Sequence, residues 1–377
     1  MRNAMDEVRL VVQPTVSHYR APLLKALLEQ QVLPLSLLGR YANSEDRQSR
    51  NHIRSASAEI LRRVDELKFR EWRNLRWERG VVPSVLRGEY RAYVLEGRVY
   101  TVSTWLALAL GRAKKTPVFL WGHGWKRPES GLKRTSRVAF YRLSSGLLVY
   151  GDRAKEYAVS VGLDADRIAV VGNSIYATQD LIDHAVPNRP STEEDFTVIV
   201  SVRLTSRHRV DMLAEALALM SPGGRRTRVI VIGDGDQAET LRESFEQAGV
   251  AAKFVGAVYG AESLAPYYAV ADVAVSPRAS GLNIVQAMGF GRPVIAPEID
   301  PTSGPESELV VDGHTGLQFP LDDIGALARA LQSLRDDPDA AVRMGQAARE
   351  RVLRTHTAEA HSAKIVQAVK GWLDRDR

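Results

Sequence analysis

The sequence has no cysteine among its 377 residues. A disulfide framework, thiolate metal ligation and catalysis by a thiol are therefore excluded, and a reducing compartment is favoured. Long apolar runs are missing as well. TWLALALG is far shorter than the roughly 18 residues of a membrane span, and the run Val8–Val12 is short and carries Arg9. We therefore expect neither a signal peptide nor a membrane-spanning helix, and we expect a cytoplasmic protein.

Motifs of metal-dependent and ATP-dependent enzymes are also missing. The chain has no Walker A lysine motif, no HExxH and no clustered pattern of histidine and aspartate. We therefore expect no metal and no cofactor. A hydrophobic content of 45% with 25% charged residues is typical of a globular protein. The length predicts two domains at roughly 150 residues each.

The net charge of +6 and a pI near 9.5 are compatible with nucleic acid, anionic lipid or phosphorylated ligands. Specific nucleic-acid binding is not expected, because the chain lacks an aromatic and basic module of known spacing. In Arg70–Arg79, Trp72 and Trp77 are interleaved with arginines. We interpret this segment as an amphipathic helix whose aromatic side chains pack inward. Contact with an anionic membrane surface or a phosphorylated acceptor is the alternative.

Short apolar runs alternate with segments of helical periodicity, beginning with an expected strand at Glu7–Gln13. This alternation predicts an α/β fold with doubly wound parallel sheets. The periodicity fails near residues 176–195, where polar residues and prolines accumulate as in a domain linker. We expect an N-terminal domain at 1–178, a linker at 179–195 and a second domain at 196–356. The last helix, at 357–377, is the candidate to cross back to the first domain.

Open α/β sheets bind ligands beyond the carboxyl ends of their strands, so the loops that follow strands are the candidate sites. In the first domain, His123 lies between two glycines in WGHGW, where its imidazole can lean into a cleft. A structural hydrogen bond in a tight turn is the alternative role. His18 and Arg20 follow the first strand and are the acceptor-side candidates, with a plain surface loop as the alternative.

In the second domain, the loop RLTSRHRVD carries four basic side chains: Arg203, Arg207, His208 and Arg209. Guanidinium groups pair with phosphate oxygens in forked geometry, so this loop suits a diphosphate, with a solvated charge run as the alternative. The stretch Ser276–Ile295 then contains a predicted helix start, whose free backbone donors favour an anionic ligand such as a phosphate. The groups concerned are Gly281 and the N–H groups of Leu282 and Asn283.

These motifs, in the order RLTSRHRVD, VIGDGDQAETL, FVGAV, SPRASGLNIVQAMGFGRPVI and SELVVDGHTGLQF, resemble retaining glycosyltransferases of the family 4 type. The resemblance is strong over Phe196–Pro320. It reaches the first domain only through its layout, the YRAP loop, HGW and VVGNSI. It implies the GT-B fold, in which two doubly wound Rossmann-like domains face a central cleft. It also implies transfer of a sugar from a nucleotide-sugar donor, without a bound metal.

The resemblance assigns roles to individual residues. Arg203 matches the arginine that contacts the donor diphosphate, and Gly281 and Leu282 match the phosphate-binding helix start. Val258 lies where the family holds the nucleobase. Glu308 matches a glutamate that precedes the DGxTG turn.

Three positions depart from the family pattern. The expected lysine is His208 here, with Arg207 or Arg209 to supply the fixed charge, and a partly protonated histidine predicts donor affinity that depends on pH. Two family glutamates are replaced by Arg278 and Gln286. Gln286 can still hydrogen-bond ribose hydroxyls, whereas Arg278 reverses the charge beside the sugar.

The implied reaction is retaining glycosyl transfer to a glycan or lipid-linked acceptor, in bacterial cell-surface polysaccharide or glycolipid biosynthesis. Arg203 and the N–H groups at Gly281–Asn283 would stabilise the leaving diphosphate, and His123 would orient a donor-sugar hydroxyl or assist the acceptor. Unlike glycoside hydrolysis, this chemistry needs no carboxylate pair. The alternative is a catalytically silent GT-B module that binds a nucleotide sugar or scaffolds another transferase, which the changes at Arg278 and Gln286 motivate. Peripheral contact with the inner face of the plasma membrane stays open.

Overall fold

The computed structural model of the protein describes residues 4–41, 54–125, 127–187, 195–221 and 223–376. Contacts divide the chain into unit 1, formed by Met1–Gly172 with Ala358–Arg377, and unit 2, formed by Asn173–Thr357. The boundary therefore falls at residue 172 rather than 178. A helix at Thr178–Asp183 occupies part of the segment expected to be a linker, and residues 188–194 of that segment lie outside the described residues.

Unit 1 is built around a parallel sheet. Its strands are β1 (Val8–Val16), β2 (Leu35–Tyr41), β3 (Asp65–Glu66), β4 (Phe69–Trp72), β5 (Leu75–Glu78), β6 (Ala92–Glu96), β7 (Val118–Gly122), β8 (Gly146–Val149) and β9 (Ile168–Val170). Within the described residues, seven of them pair in the order β3-β2-β1-β6-β7-β8-β9, all parallel. The central strands β6, β7 and β8 are buried nearly throughout. Burial on both faces explains why these strands are continuous apolar runs rather than alternating ones.

Helices connect the parallel strands of unit 1. They are α1 (Ala21–Glu29), α2 (Ala58–Leu61), α3 (Val81–Arg87), α4 (Val102–Lys114), α5 (Gly131–Leu143) and α6 (Asp152–Ser160). Helix α1 has a proline in its first turn, where the missing N–H costs no hydrogen bond. Its apolar stripe, Leu23, Leu24 and Leu27, is fully buried in the core. The α1 segment thus follows the helical spacing that the sequence predicts.

Unit 2 contains a second parallel sheet. Its strands are β10 (Asp195–Ser201), β11 (Arg226–Ile232), β12 (Ala251–Gly256), β13 (Val273–Val275), β14 (Val294–Pro297) and β15 (Gly316–Phe319). Its helices are α7 (Thr178–Asp183), α8 (Asp211–Ala218), α9 (Ala238–Gln247), α10 (Ala261–Ala269), α11 (Leu282–Gly289), α12 (Ile324–Asp336) and α13 (Pro338–Thr355). In the part of the chain that the structure covers, the strand order is β12-β11-β10-β13-β14-β15, again parallel.

The last helix, α14 (Ala358–Arg375), belongs to unit 1. Its Trp372 stacks on Phe119 of β7 with ring centroids 5.3 Å apart, and the indole Nε1 donates to Asp166 O at 2.8 Å. A Cβ on Gly146 would lie 2.8 Å from the Trp372 ring, so β8 must begin with a glycine for this ring to seat. Among the helices that the structure describes, none combines the length and apolar character needed to cross a bilayer.

The segment Arg70–Arg79 is not a helix, so that interpretation of the sequence is wrong. It forms the antiparallel hairpin β4–β5, and Trp72 and Trp77 remain 69% and 40% exposed instead of packing inward. In REWRNLRWER the aromatic and charged residues fit a period of two as well as a helical period. The turn at Arg73, whose φ is 53°, decides between them because it reverses the chain.

Candidate functional site

The strand order of unit 2 creates a topological switch point between β10 and β13. Strands β11 and β12 lie on one side of β10, and β13, β14 and β15 lie on the other. Ligands of open α/β sheets bind beyond the carboxyl ends of the strands at such a point. The loops that leave β10 and β13 there are residues 202–205 and 276–281, which lead into the two phosphate-binding segments expected from the sequence.

Two glycines after β11 let its loop approach the loop after β10. A Cβ on Gly233 would lie 1.8 Å from Val202 O, and one on Gly235 would lie 2.1 Å from Leu204 O. Gly233 also has a φ of 138°, which L side chains rarely adopt. The glycines of IGDGD, a weak signal in the sequence, therefore fix the backbone on both sides of Arg203.

The basic side chains after β10 differ in their protonation and partners. Arg203 and Arg207 are exposed, whereas His208 is half-buried with its Nδ1 3.0 Å from Thr205 Oγ1. Burial, together with the charges of Arg207 and Arg203, lowers the pKa of His208 to about 4. The imidazole is therefore neutral near pH 7. The expectation of a partly protonated histidine at position 208 is therefore wrong.

Arg209 is committed to carboxylates of its own unit. Its guanidinium lies 2.9 Å from Asp211 and 3.6 Å from Asp322. Because these carboxylates compensate its charge, Arg209 is poorly suited to replace the family lysine. Of the two candidates for that fixed charge, the structure favours Arg207.

The stretch Ser276–Ile295 forms a helix start at the switch point. Gly281 is the N-cap of α11, and its N–H donates to Asn283 Oδ1 at 2.9 Å. The Asn283 amide also donates to Ser276 Oγ at 3.0 Å, which ties the helix start to the end of β13. The N–H groups of Leu282 and Asn283 lie in the first turn, where a helix supplies no acceptor. Oriented backbone donors thus occupy the carboxyl edge of the sheet, as the sequence predicts.

Gln286 lies inside unit 2 rather than at a ligand-binding surface. It is 7% exposed, and its Nε2 donates to Ser201 Oγ at 2.8 Å and to Tyr268 OH at 2.9 Å. Its Oε1 accepts from Tyr176 OH at 3.2 Å. Both amide hydrogens are used in this network. The structure therefore contradicts the hydrogen bonding of ribose by the Gln286 amide, because the amide joins α11 to β10 and α10.

Arg278 pairs with a carboxylate of the neighbouring loop. Its Nη1 lies 3.7 Å from Asp300, which follows β14. Burial acts to raise the pKa of Asp300, but hydrogen bonds from Thr302 and Ser303, together with the Arg278 charge, hold that pKa below its ordinary value. Asp300 is therefore ionised near pH 7. The positive charge that replaces the family glutamate thus has a negative charge facing it.

Two other expected donor-side residues lie on loops of the same sheet. Val258 follows β12 and packs at the edge of the core that contains Tyr268. Glu308 is half-buried in the short 3-10 helix Pro305–Leu309, and its carbonyl accepts from Arg351. The sequence does not single out the carboxylate two residues before Glu308. Glu306 is 5% exposed and accepts from Asn173 Nδ2 at 2.7 Å.

In unit 1, His123 follows β7 in a loop that is held in place by contacts of the two residues after it. Tyr141 OH donates to Gly124 O at 3.0 Å, and Gly124 has a φ of 63°. Trp125 is buried against the Tyr141 ring, with centroids 4.7 Å apart. His123 itself is exposed, and its ring lies 4.8 Å from the ring of Tyr150. The loop thus holds the imidazole at the carboxyl edge of this sheet.

Of the other first-domain candidates, Arg20 is buried and His18 is half-buried. Arg20 is 4% exposed, donates to Tyr150 OH at 3.3 Å and lies 5.9 Å from the ring centroid of Trp121. His18 is half-buried, and burial lowers its pKa. His361 of α14, which the sequence did not reveal, is fully buried with its ring 5.7 Å from that of Trp121. Since α14 is remote in sequence, no local pattern could have shown this neighbour.

No group of three or more His, Cys, Asp or Glu that could hold a metal occurs among the residues covered by the structure. A metal-free reaction stays a prediction.

Comparison with known proteins agrees with this geometry. Residues 195–337 match the family model described as glycosyl transferases group 1. A GDP-mannose-dependent alpha-(1-6)-phosphatidylinositol monomannoside mannosyltransferase of Mycolicibacterium smegmatis is 28% identical over 245 residues, which are 62% of this chain and 61% of that protein. The chain thus spans about three fifths of the length of the first curated relatives that it matches.

Two solved structures share the fold over nearly the whole chain. The apo form of the lipopolysaccharide outer core galactosyltransferase WaaB has a TM-score of 0.71 at 13% identity, covering 97% of this chain and 99% of that one. Anabaena Alr3699/HepE in complex with UDP has a TM-score of 0.69 at 16% identity, covering 97% and 100%. The predicted fold class is confirmed, while the family 4 type and the retaining stereochemistry stay predictions. Residues 195–337 of unit 2 therefore form a domain that matches glycosyl transferases group 1, and the chain has the GT-B fold with two Rossmann-like α/β domains.

Proposed function

We propose that this chain transfers a glycosyl group from a nucleotide-diphosphate sugar to a glycan or lipid-linked acceptor, with retention at the anomeric carbon. The observation that carries the proposal is the switch point of unit 2, where exposed Arg203 and Arg207 and the N-terminus of α11 leave the same sheet edge. Guanidinium groups and helix N-termini both bind phosphate oxygens. The family match over residues 195–337 supports the same function.

In this proposal, the groups at the carboxyl edge of the unit 2 sheet stabilise the leaving diphosphate. As the bond between the anomeric carbon and the diphosphate oxygen breaks, negative charge grows on the diphosphate. Arg203 and the N–H groups of Leu282 and Asn283 stabilise that charge from fixed positions. One preorganised donor of this kind contributes about 3 kcal/mol in comparable sites. The nucleotide sugar is a substrate, so no resident cofactor is needed.

In unit 1, His123 is the acceptor-side residue of this proposal. It is exposed, whereas Arg20 is buried against Tyr150. We therefore assign ligand contact to His123 and a positioning role to Arg20, which holds the Tyr150 ring beside the imidazole. His123 orients a sugar hydroxyl or takes the acceptor proton.

The acceptor and the cellular setting belong to the proposal as well. The name of the mycobacterial relative gives a phosphatidylinositol monomannoside as its acceptor, which supports a lipid-linked acceptor here. We therefore propose that the chain acts in the synthesis of a bacterial cell-surface glycolipid or polysaccharide, at the cytoplasmic face of the membrane. GDP and UDP are the first nucleotides to test, because the relative is named GDP-mannose-dependent and the Anabaena structure holds UDP.

Nucleotide binding tests the donor site directly. The full chain is screened by thermal shift against UDP, GDP, ADP and their sugars, and a ligand at about 100 times its Kd should stabilise its unit by about 2.7 kcal/mol. Arg203→Ala should weaken binding of the best diphosphate about 10-fold or more, since a charged hydrogen bond contributes about 1.5–3 kcal/mol. Arg226→Ala is the matched control, because Arg226 is exposed at the opposite end of the same sheet, where β11 begins. Equal effects of the two substitutions would contradict the assignment of Arg203.

A catalytically silent nucleotide-sugar module is the second candidate. Two observations favour it: Asp300 faces Arg278, and Gln286 is engaged inside the domain. Turnover of any bound nucleotide sugar, followed by NMR of the product anomer, excludes this candidate and reads the stereochemistry. Tight donor binding without turnover across a broad panel of glycan and lipid acceptors would favour it over the enzyme.

A further inference from the structure

The hairpin β4–β5 has two chemically different faces. In its antiparallel register, Phe69 pairs with Glu78 and Glu71 with Arg76, so these four side chains share the inner face. The positive charge of Arg76 on this face is balanced by two carboxylates of unit 1. Arg76 lies 2.8 Å from Glu71 and 2.9 Å from Glu96 of β6. The inner face therefore faces the rest of unit 1, through the ion pair of Arg76 with Glu96.

The outer face holds the remaining pairs, Trp72 with Leu75 and Arg70 with Trp77. The three apolar side chains are 69%, 41% and 40% exposed for Trp72, Leu75 and Trp77. Arg73 in the turn lies over the Trp72 ring at 5.2 Å. The hairpin thus presents apolar rings and guanidinium groups on the face that unit 1 does not cover.

The chain just before α4 extends this face. Arg76 forms a parallel bridge with Thr101, and its N–H donates to Tyr100 O at 2.9 Å. In that register Leu75 lies beside Tyr100, on the side opposite buried Thr101, and Val102 begins α4 directly after Thr101. Tyr100 and Val102 are 48% and 39% exposed. We call the resulting patch the hairpin surface: Trp72, Leu75, Trp77, Tyr100 and Val102.

The charged side chains on the outer face of the hairpin are basic. Both carboxylates of the hairpin, Glu71 and Glu78, lie on the inner face. In the described part of the chain, no ion pair is formed by the three neighbouring arginines, Arg70, Arg73 and Arg79. The outer face therefore combines exposed tryptophans with uncompensated positive charge.

From this combination we infer that the hairpin surface docks on an anionic lipid bilayer, with Trp72 and Trp77 at the headgroup level and the arginines on lipid phosphates. Tryptophan favours this interface because its ring is apolar and its N–H is polar. Each arginine near an anionic surface strengthens binding about five-fold. Two copies of this chain would bring the same arginines face to face, which disfavours self-association through this patch. The inference deepens the proposed function, since it rests on a lipid-linked acceptor for its purpose.

Vesicle co-sedimentation of the full chain, without any nucleotide sugar, tests the inference. The probes are phosphatidylcholine vesicles with and without about one third phosphatidylglycerol. We expect binding at least 10-fold tighter to the anionic vesicles, weakened by salt because exposed charges are screened. The double variant Trp72→Ser/Trp77→Ser and the double variant Arg70→Glu/Arg73→Glu should each lose about 10-fold or more. Leu219→Ser is the control, because Leu219 is an apolar residue of unit 2 that is 64% exposed.

Several results overturn the inference. They are no preference for anionic vesicles, unchanged binding by both double variants, or an equal loss in the Leu219 control. A concentration-dependent dimer that disappears in the tryptophan variant would assign the patch to a second copy instead. Circular dichroism of each variant establishes that it is folded. Because no donor is present, vesicle binding can fail while glycosyl transfer to a water-soluble acceptor succeeds, and the reverse, so the two proposals fail separately.

Discussion

Glu78 is a buried carboxyl group whose raised pKa should make the stability of unit 1 depend on pH. It ends β5, is 1% exposed, and in the described part of the chain neither of its carboxyl oxygens has a hydrogen-bond partner. Burial raises its pKa from 4.5 to about 7, and the charge of Glu96 adds to this, whereas Arg76 and Arg98 act in the opposite direction. Glu78 is therefore largely protonated in the folded state at slightly acidic pH.

The size of the effect follows from linkage. The pKa is raised on folding, so Glu78 contributes stability that is fully present below pH 4.5 and is lost as the pH rises through about 7. At about 1.4 kcal/mol per pKa unit, the total is about 3 kcal/mol, of which about 2.5 kcal/mol is lost between pH 5 and pH 8. Glu78→Gln removes this dependence, because the amide is neutral at every pH.

Tryptophan fluorescence is the assay, because all six tryptophans lie in unit 1 and report its unfolding alone. Urea unfolding is measured at pH 5 and pH 8 for the wild type, Glu78→Gln and Glu59→Gln, whose side chain is exposed on α2. We expect the wild type and Glu59→Gln to lose about 2.5 kcal/mol more than Glu78→Gln over this range. Parallel behaviour of all three proteins would refute the protonation of Glu78.

Two further substitutions test unit 2. His208→Lys replaces a neutral imidazole with a fixed positive charge, so nucleotide diphosphate should bind about 3- to 10-fold more tightly at pH 7.5. Unchanged affinity by calorimetry would mean that residue 208 does not face the phosphates. Gly233→Ala puts a Cβ 1.8 Å from Val202 O at a φ of 138°, and should destabilise unit 2 by about 3 kcal/mol or more. The unfolding of unit 2 is followed as the change in circular dichroism that occurs without a change in tryptophan fluorescence. Gly249→Ala is the control, because Gly249 has a φ of 67° but a Cβ added there would have no atom within 4 Å. If both glycine variants lose the same free energy of unfolding, the contact between the Cβ at position 233 and Val202 O has no energetic effect.

Local pattern was enough to predict the α/β architecture. The apolar strand at β1 and the leucine stripe of α1 each follow the period of their element, and burial on both faces makes the central strands continuously apolar. The glycine-led start of α11 and the basic loop after β10 were also visible, because backbone donors and guanidinium groups are properties of short segments.

Local pattern does not predict the structure where a short segment fits two periods or where the partners are distant in sequence. The pattern around Trp72 and Trp77 predicts a helix, but the segment is a hairpin because the turn at Arg73 reverses the chain. His361 reaches the ring of Trp121 only because α14 returns to unit 1.

The sequence by itself determined two parallel α/β sheets and the chemistry of the loops that follow their strands, because periodicity and side-chain type are local properties. Only the tertiary structure decided the state of each group. Gln286 became an internal hydrogen-bond partner because Ser201 and Tyr268 surround it. His208 is neutral because it is half-buried between two arginines. Burial and partners come from residues far apart in the chain, and they set protonation and availability, which no local pattern encodes.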